Sequence, residues 1–108
     1  MNDTFASLYE VVKNRRENPQ EGSYTCYLFE KGLDKILKKI GEESSEVIIA
    51  AKNKDKDETA NEICDLIYHL TVMMVNEGIE LEAVNAILSE RSKKIGNLKT
   101  FHVSDHNT

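Results

Sequence analysis

Apolar side chains along this chain recur at three- and four-residue steps between short polar stretches, and no alternating run is long enough for a strand. Phe5, Leu8 and Val12 mark a first helix, with Asp3 or Thr4 available as its N-cap. That helix must stop before Asn18-Pro19, because proline pushes the preceding residue out of the α region. Pro19 to Thr25 reads as a loop. A second helix starts near Thr25 and meets a breaking point at Gly32. Beyond it, Leu33, Ile36, Leu37, Ile40, Ser44, Val47, Ile48 and Ala51 fall within a wedge of roughly 120° and form one stripe. After a polar turn over Asn53 to Asp57, a third helix runs from about Lys56 to Asn76, with Gly78 as its stop. A fourth, from about Glu80 to Ile95, sets Leu81, Val84, Leu88 and Ile95 on one face before Gly96-Asn97 ends it. Residues 1–3 and 98–108 are expected to fray. The predicted fold class is all-α, a bundle of four to five helices.

A length of 108 residues suits one domain. A domain of this size buries a smaller share of its surface than a large one, so pairing with a second copy is expected. Apolar residues make up 40% and charged ones 31%, a globular rather than a disordered balance. The formal net charge of −5 argues against nucleic acid as a partner, which calls for a basic face. It leaves room for an anionic small molecule, since bound divalent cations invert the local field. Cys26 and Cys64 stand 38 positions apart with no metal-like spacing, which fits reduced thiols in a cytoplasmic protein. The first ten residues lack a basic segment followed by an apolar run, and no apolar stretch is long enough to span a membrane.

Two acidic motifs on consecutive helices carry the candidate chemistry. Glu43 and Glu46 sit at i,i+3 within Glu42-Glu43-Ser44-Ser45-Glu46, and Glu62 and Asp65 sit at i,i+3 within Glu62-Ile63-Cys64-Asp65. Two antiparallel helices joined by a short turn bring these pairs together, and four converging carboxylates form the oxygen-rich surrounding that suits Mg²⁺. The third helix is apolar nearly all round, apart from a strip of Glu58, Glu62, Asp65 and His69 within roughly 60°. A strip on so apolar a helix should face something other than open water, and unpaired buried carboxylates are costly, so a cation is the natural partner. On the second helix Lys35, Lys39, Glu43 and Glu46 lie within about 80°. Lysines early and glutamates late run against the helix dipole, an order better suited to holding metal and phosphate side by side than to surface pairing.

The plainer readings stand beside these. An isolated ExxE is usually a solvated face; the second motif on an apolar helix is what changes the balance. His69 reads first as a hydrogen-bonded core histidine, Tyr68 as core or interface, and Met73 and Met74 as core filler. Lys52, Lys54 and Lys56 read as a solvated turn. There is no phosphate-cradling glycine loop, no nucleophile triad order and no HExxH, so any phosphate chemistry must run through metal and lysine.

The combination of Gly22-Ser23-Tyr24-Thr25, Leu28-Phe29-Glu30-Lys31-Gly32, Lys39-Ile40-Gly41-Glu42-Glu43, Glu46 to Lys52, and Asp65-Leu66-Ile67-Tyr68-His69-Leu70 resembles the phosphoribosyl-ATP pyrophosphatase family. The likeness runs from about Leu8 to Gly96. The carboxylates alone would indicate only the wider MazG-like superfamily of all-α nucleotide pyrophosphohydrolases. The resemblance implies hydrolysis of 1-(5-phosphoribosyl)-ATP to the AMP derivative and pyrophosphate, the second step of histidine biosynthesis, in a form not fused to a cyclohydrolase domain. It implies that Glu43, Glu46, Glu62 and Asp65 hold Mg²⁺ and act in catalysis, with Glu42 close by. Lys31, Lys35 and Lys39 are then expected at the phosphates, and Ser23, Tyr24 and Thr25 at the sugar or base. It further implies a homodimer or higher homo-oligomer. Two other readings are a (deoxy)nucleoside triphosphate pyrophosphohydrolase on the same fold and a non-catalytic helical dimer module whose acidic strip only makes ion pairs.

Overall fold

The computed structural model describes residues 3–95 and, among them, five helices and no strand: α1 (Thr4–Glu17), α2 (Tyr24–Lys31), α3 (Leu33–Lys52), α4 (Lys56–Asn76) and α5 (Leu81–Ile95). The all-α expectation is met. The terminal residues expected to fray lie outside the described ones except Asp3, which is ordered as a cap. Its carboxylate accepts the Ala6 N–H at 3.0 Å.

Local chemistry sets each boundary. α2 begins one residue earlier than the pattern predicts because Ser23 Oγ accepts the Cys26 N–H at 3.2 Å and fixes the first turn. Gly32 separates α2 from α3, at φ 92° and ψ −175°, a conformation open in practice only to glycine. The residue thus ends one helix and starts the next. The α3–α4 turn is three residues long. Asn53 closes α3, Lys54 takes a left-handed φ of 63°, and Asp55 caps α4 by accepting the Glu58 N–H at 3.0 Å. A connection this short makes α3 and α4 antiparallel neighbours.

α1 and α2 lie against the α3–α4 pair. Tyr9 and Val12 of α1, Leu28 of α2, Ile36 of α3, and Val72 and Val75 of α4 form the core, with Leu8, Phe29, Ile40 and Tyr68 packed around it. Val12, Leu28, Ile36 and Val72 are fully buried, each worth roughly 1.5–3 kcal/mol of transfer free energy. Two polar ties hold α1 to the end of α4: Tyr9 Oη donates to the Ile79 carbonyl at 2.9 Å, and Arg16 donates to the Val75 carbonyl at 2.7 Å. A cation at these last carbonyls also favours the helix dipole.

The apolar faces differ in how far the described residues cover them. Of the predicted α3 stripe, Ile36 is fully buried but Leu37, Ile48 and Ala51 are exposed, Ile48 at 67%. The side of the α3–α4 pair that carries Ile48, Ile49, Ile63 and Cys64 is left uncovered by the other described residues. The helix at Leu81–Ile95 forms as the periodicity predicts, yet no residue of it is fully buried, and Leu88 and Ile95 are exposed. Apolar periodicity identifies which face seeks cover, not whether the same chain supplies it.

Candidate functional site

The hairpin register decides which carboxylates meet. Glu46 stands seven residues before Asn53 and Glu62 seven after Asp55, each roughly 10 Å from the turn along its helix. Glu43 and Asp65 are each three residues farther from it. The two i,i+3 pairs therefore face each other at equal heights. Glu43, Glu62 and Asp65 each offer a carboxylate oxygen, and these oxygens lie within 4.8 Å of one another. Glu43 is only 7% exposed and Glu62 only 9%, while Asp65 and Glu46 open to solvent.

The electrostatics are those of an uncompensated anionic cluster. Burial, followed by the charges of Glu46 and Asp65, holds the Glu43 carboxyl above the usual carboxylate range. The neighbouring Glu58 carboxyl, then burial, then Glu46 push Glu62 up to about 7. Oε1 of Glu62 is buried with no hydrogen-bond partner. Among the described residues, the ion pairs are Lys39–Glu42 at 3.3 Å and Lys93–Glu90 at 3.4 Å, so no lysine or arginine is directly paired with Glu43, Glu46, Glu62 or Asp65. A set of acidic oxygens with one orphaned buried member matches a hard divalent cation. Opposite ligands on Mg²⁺ lie about 4 Å apart, close to the spacing here. Glu46, Asn53, Asp55, Glu58 and Glu62 line an adjoining cavity of about 190 Å³.

Glu42 is not brought to this cluster. It projects outward and pairs with Lys39, whose charge that contact stabilises. Lys31 and Lys35 flank the Tyr27 ring, their ammonium groups 5.7 and 6.0 Å from its centroid. The Ser23 hydroxyl is engaged as the α2 cap, and the Thr25 hydroxyl pairs with that of Tyr68. Tyr24 Oη meets His69 Nε2 at 3.1 Å, and His69 Nδ1 meets the Asp65 carbonyl at 2.8 Å. His69 is buried with both ring nitrogens bonded, as its reading as a core histidine requires. It links the residues after the 18–23 loop to the helix turn that carries Asp65.

Several residues at the site escaped the sequence reading. Glu58 lay within the acidic strip but outside the i,i+3 motif, and its position four residues before Glu62 was the available signal. Tyr27 stacks on Tyr24 with ring centroids 6.0 Å apart. Arg15 and Arg16 line the largest described cleft, about 920 Å³, between the end of α1 and α2. Nothing local in the sequence marks these three.

Known proteins resemble the chain over most of its length. A model of the family described as phosphoribosyl-ATP pyrophosphohydrolase matches residues 5–92. The chain is 57% identical over 98 residues to a phosphoribosyl-ATP pyrophosphatase of Clostridium botulinum (strain Kyoto / Type A2), covering 91% of this chain and 89% of the relative. It is 55% identical to the protein of the same name from Clostridium novyi, covering 90% and 88%. To that from Streptococcus sanguinis it is 52% identical, covering 93% and 96%. With the match spanning all four packed helices and both acidic motifs, the chain belongs to the phosphoribosyl-ATP pyrophosphohydrolase family.

Proposed function

We propose that this chain hydrolyses 1-(5-phosphoribosyl)-ATP to 1-(5-phosphoribosyl)-AMP and pyrophosphate, the second step of L-histidine biosynthesis, with Mg²⁺ as its cofactor. The observation that carries the reading is the Glu43–Glu62–Asp65 cluster, two of its three carboxylates buried, with an orphaned Glu62 oxygen and, among the described residues, no ion pair to a lysine or arginine. Family membership supports the substrate.

Glu43, Glu62 and Asp65 would hold the ion, with Glu46 beside them. When bound, it would offset negative charge on the triphosphate oxygens as the phosphoric anhydride breaks. Water attacks phosphorus, the anhydride P–O bond breaks, and pyrophosphate leaves. Glu46, the solvent-open carboxylate next to Glu43 and Glu62, takes the proton of that water in our assignment. Lys39, next to Glu43 and Tyr24 in the field around the cluster, offers its charge to the phosphates. Lys31 and Lys35 add positive potential around Tyr27, which steers an anionic nucleotide inward. Tyr24 is the residue of the Ser23–Thr25 segment best placed to touch the sugar or base, since the Ser23 and Thr25 hydroxyls hold the fold. Glu42 acts through Lys39, by orienting its ammonium group.

A second copy of the chain belongs to this proposal. The exposed side chains of Ile48, Ile49 and Ile63, together with an α5 that buries none of its residues fully, form an apolar surface that a homodimer would cover. Among the described residues no helix is long and apolar enough to cross a membrane. Both cysteines are free thiols, in keeping with a cytoplasmic location.

The test is pyrophosphate release from phosphoribosyl-ATP and from plain nucleoside triphosphates, each with Mg²⁺ and with chelator. Preference for phosphoribosyl-ATP with complete dependence on the metal is expected. Equal turnover of plain nucleotides would transfer the assignment to a general nucleotide pyrophosphohydrolase.

A further inference from the structure

The largest cleft described here is not the one holding the acidic cluster. It covers about 920 Å³ between the C-terminal turn of α1 and the start of α2, with Arg15, Arg16, Ser23, Tyr24 and Tyr27 among its walls. That volume suits a sizeable small molecule. We propose that this cleft is the seat of the substrate's second anionic end, the 5-phosphate of the ribosyl group, and that Arg15 is the residue that binds it. The proposal rests on the reading of the substrate as phosphoribosyl-ATP, a molecule with a triphosphate at one end and a phosphomonoester at the other. A cation at the carboxylate cluster serves the first, and the second needs its own positive partner.

Four observations support the assignment. First, neither guanidinium in the cleft is engaged by a carboxylate: the described ion pairs involve only Lys39 and Lys93. Arg15 gives one N–H to the Asn14 side chain at 3.3 Å and keeps the rest of its five donors, which match phosphate geometry. Second, the wall is held in place before any ligand arrives. The Cys26 thiol donates to the Arg15 carbonyl at 3.4 Å and accepts the Gln20 N–H at 3.3 Å, fastening α2 and its preceding loop to the end of α1. Third, α2 presents its N-terminal turn to the cleft, so the positive end of its dipole adds to the arginines. Fourth, the cleft adjoins the cluster. Tyr24 lines it and bonds His69, which lies one turn, roughly 6 Å, along α4 from Asp65. A ligand spanning both sites would pass over Tyr24. The exposed carboxylates Glu21 and Glu30 share the cleft wall and set a preference for a ligand whose charge sits against the arginines.

Arg16 is the poorer probe, since it also holds the Val75 carbonyl and stacks over Phe29 at 5.6 Å. Arg15→Ala is the informative change. Steady-state pyrophosphate release should be measured on phosphoribosyl-ATP and on the same substrate stripped of its 5-phosphate. The expected result is a KM about tenfold or more above wild type for the intact substrate, little change for the stripped one, and recovery toward wild type in Arg15→Lys. An equal effect on both substrates, or none on either, overturns the proposal. Equilibrium dialysis with ribose 5-phosphate gives a readout independent of turnover. Wild type should bind it and Arg15→Ala should lose about tenfold in affinity; failure of wild type to bind also overturns the subsite. If wild type binds ribose 5-phosphate but leaves phosphoribosyl-ATP intact, the activity assignment falls and the phosphate seat stands.

Discussion

Glu43 on α3 and Glu62 on α4 are each more than nine-tenths buried and bring carboxylate oxygens within 4.8 Å of one another, with no lysine or arginine among the described residues paired to either. The neighbouring Glu58 carboxyl, then burial, then Glu46 make the carboxyl of Glu62 keep its proton up to about pH 7. A cation held between Glu43 and Glu62 would relieve the cost of burying these carboxylates.

The sign of the resulting pH dependence follows. Glu62 titrates near 7 when folded, above its ordinary value of 4.5, so between those values the folded chain holds more protons than the unfolded one. Its contribution to stability is fully present below about pH 4.5 and is lost as pH rises through about 7. Without metal, the melting temperature should fall across that window. Mg²⁺ should raise it clearly at pH 8 and scarcely at pH 5, where protons compete for the same oxygens. Differential scanning fluorimetry on Glu62→Gln should show a flatter metal-free profile. An unchanged slope in that variant would mean that Glu62 is not the titrating group.

Gly32→Ala tests the α2–α3 junction. No atom lies within 4 Å of the added methyl group, so any cost comes from the backbone at φ 92°. A loss of about 1–3 kcal/mol in urea unfolding is expected. A neutral result would show that the junction relaxes freely.

Tyr24→Phe keeps the ring beside Tyr27 and Tyr68 but removes the hydroxyl bonded to His69 Nε2. Leaving that buried nitrogen without its partner should cost about 1–2 kcal/mol in chemical denaturation. Retained stability would argue that water replaces the phenol there.

Ile48→Glu should change assembly rather than folding. The residue is 67% exposed in the isolated chain, so the substitution is expected to alter chain stability by less than about 0.5 kcal/mol. Sedimentation velocity should show a dimer for the wild type and a shift to monomer for the variant. A variant that stays dimeric would move the interface elsewhere on the molecule.

The carboxylate cluster was legible because hairpin register is a counting problem: equal distances from a short polar turn put Glu46 opposite Glu62 and Glu43 opposite Asp65. The break at Gly32 and the cap at Asp55 rest on equally local chemistry. Burial was harder to read. Ile48 belongs to the same stripe as Ile36, yet one is exposed and the other fully covered, since a stripe does not say which chain packs on it. The hydroxyls of Ser23 and Thr25, expected at the substrate, are bonded within the fold, because Ser23 caps a helix and Thr25 meets a tyrosine 43 residues away. Arg15 and Tyr27 carry no local signal, and only the packing of α1 against α2 places them in one cleft.

The most direct measurement is Mg²⁺-dependent pyrophosphate release from phosphoribosyl-ATP by wild type, Glu62→Gln and Asp65→Asn, with circular dichroism confirming that each retains its helices. The account predicts wild-type turnover that stops on chelation, and a loss of at least about 100-fold in both variants, as expected when a divalent cation loses a ligand at the reacting centre. Near-normal turnover in folded Glu62→Gln and Asp65→Asn would contradict it.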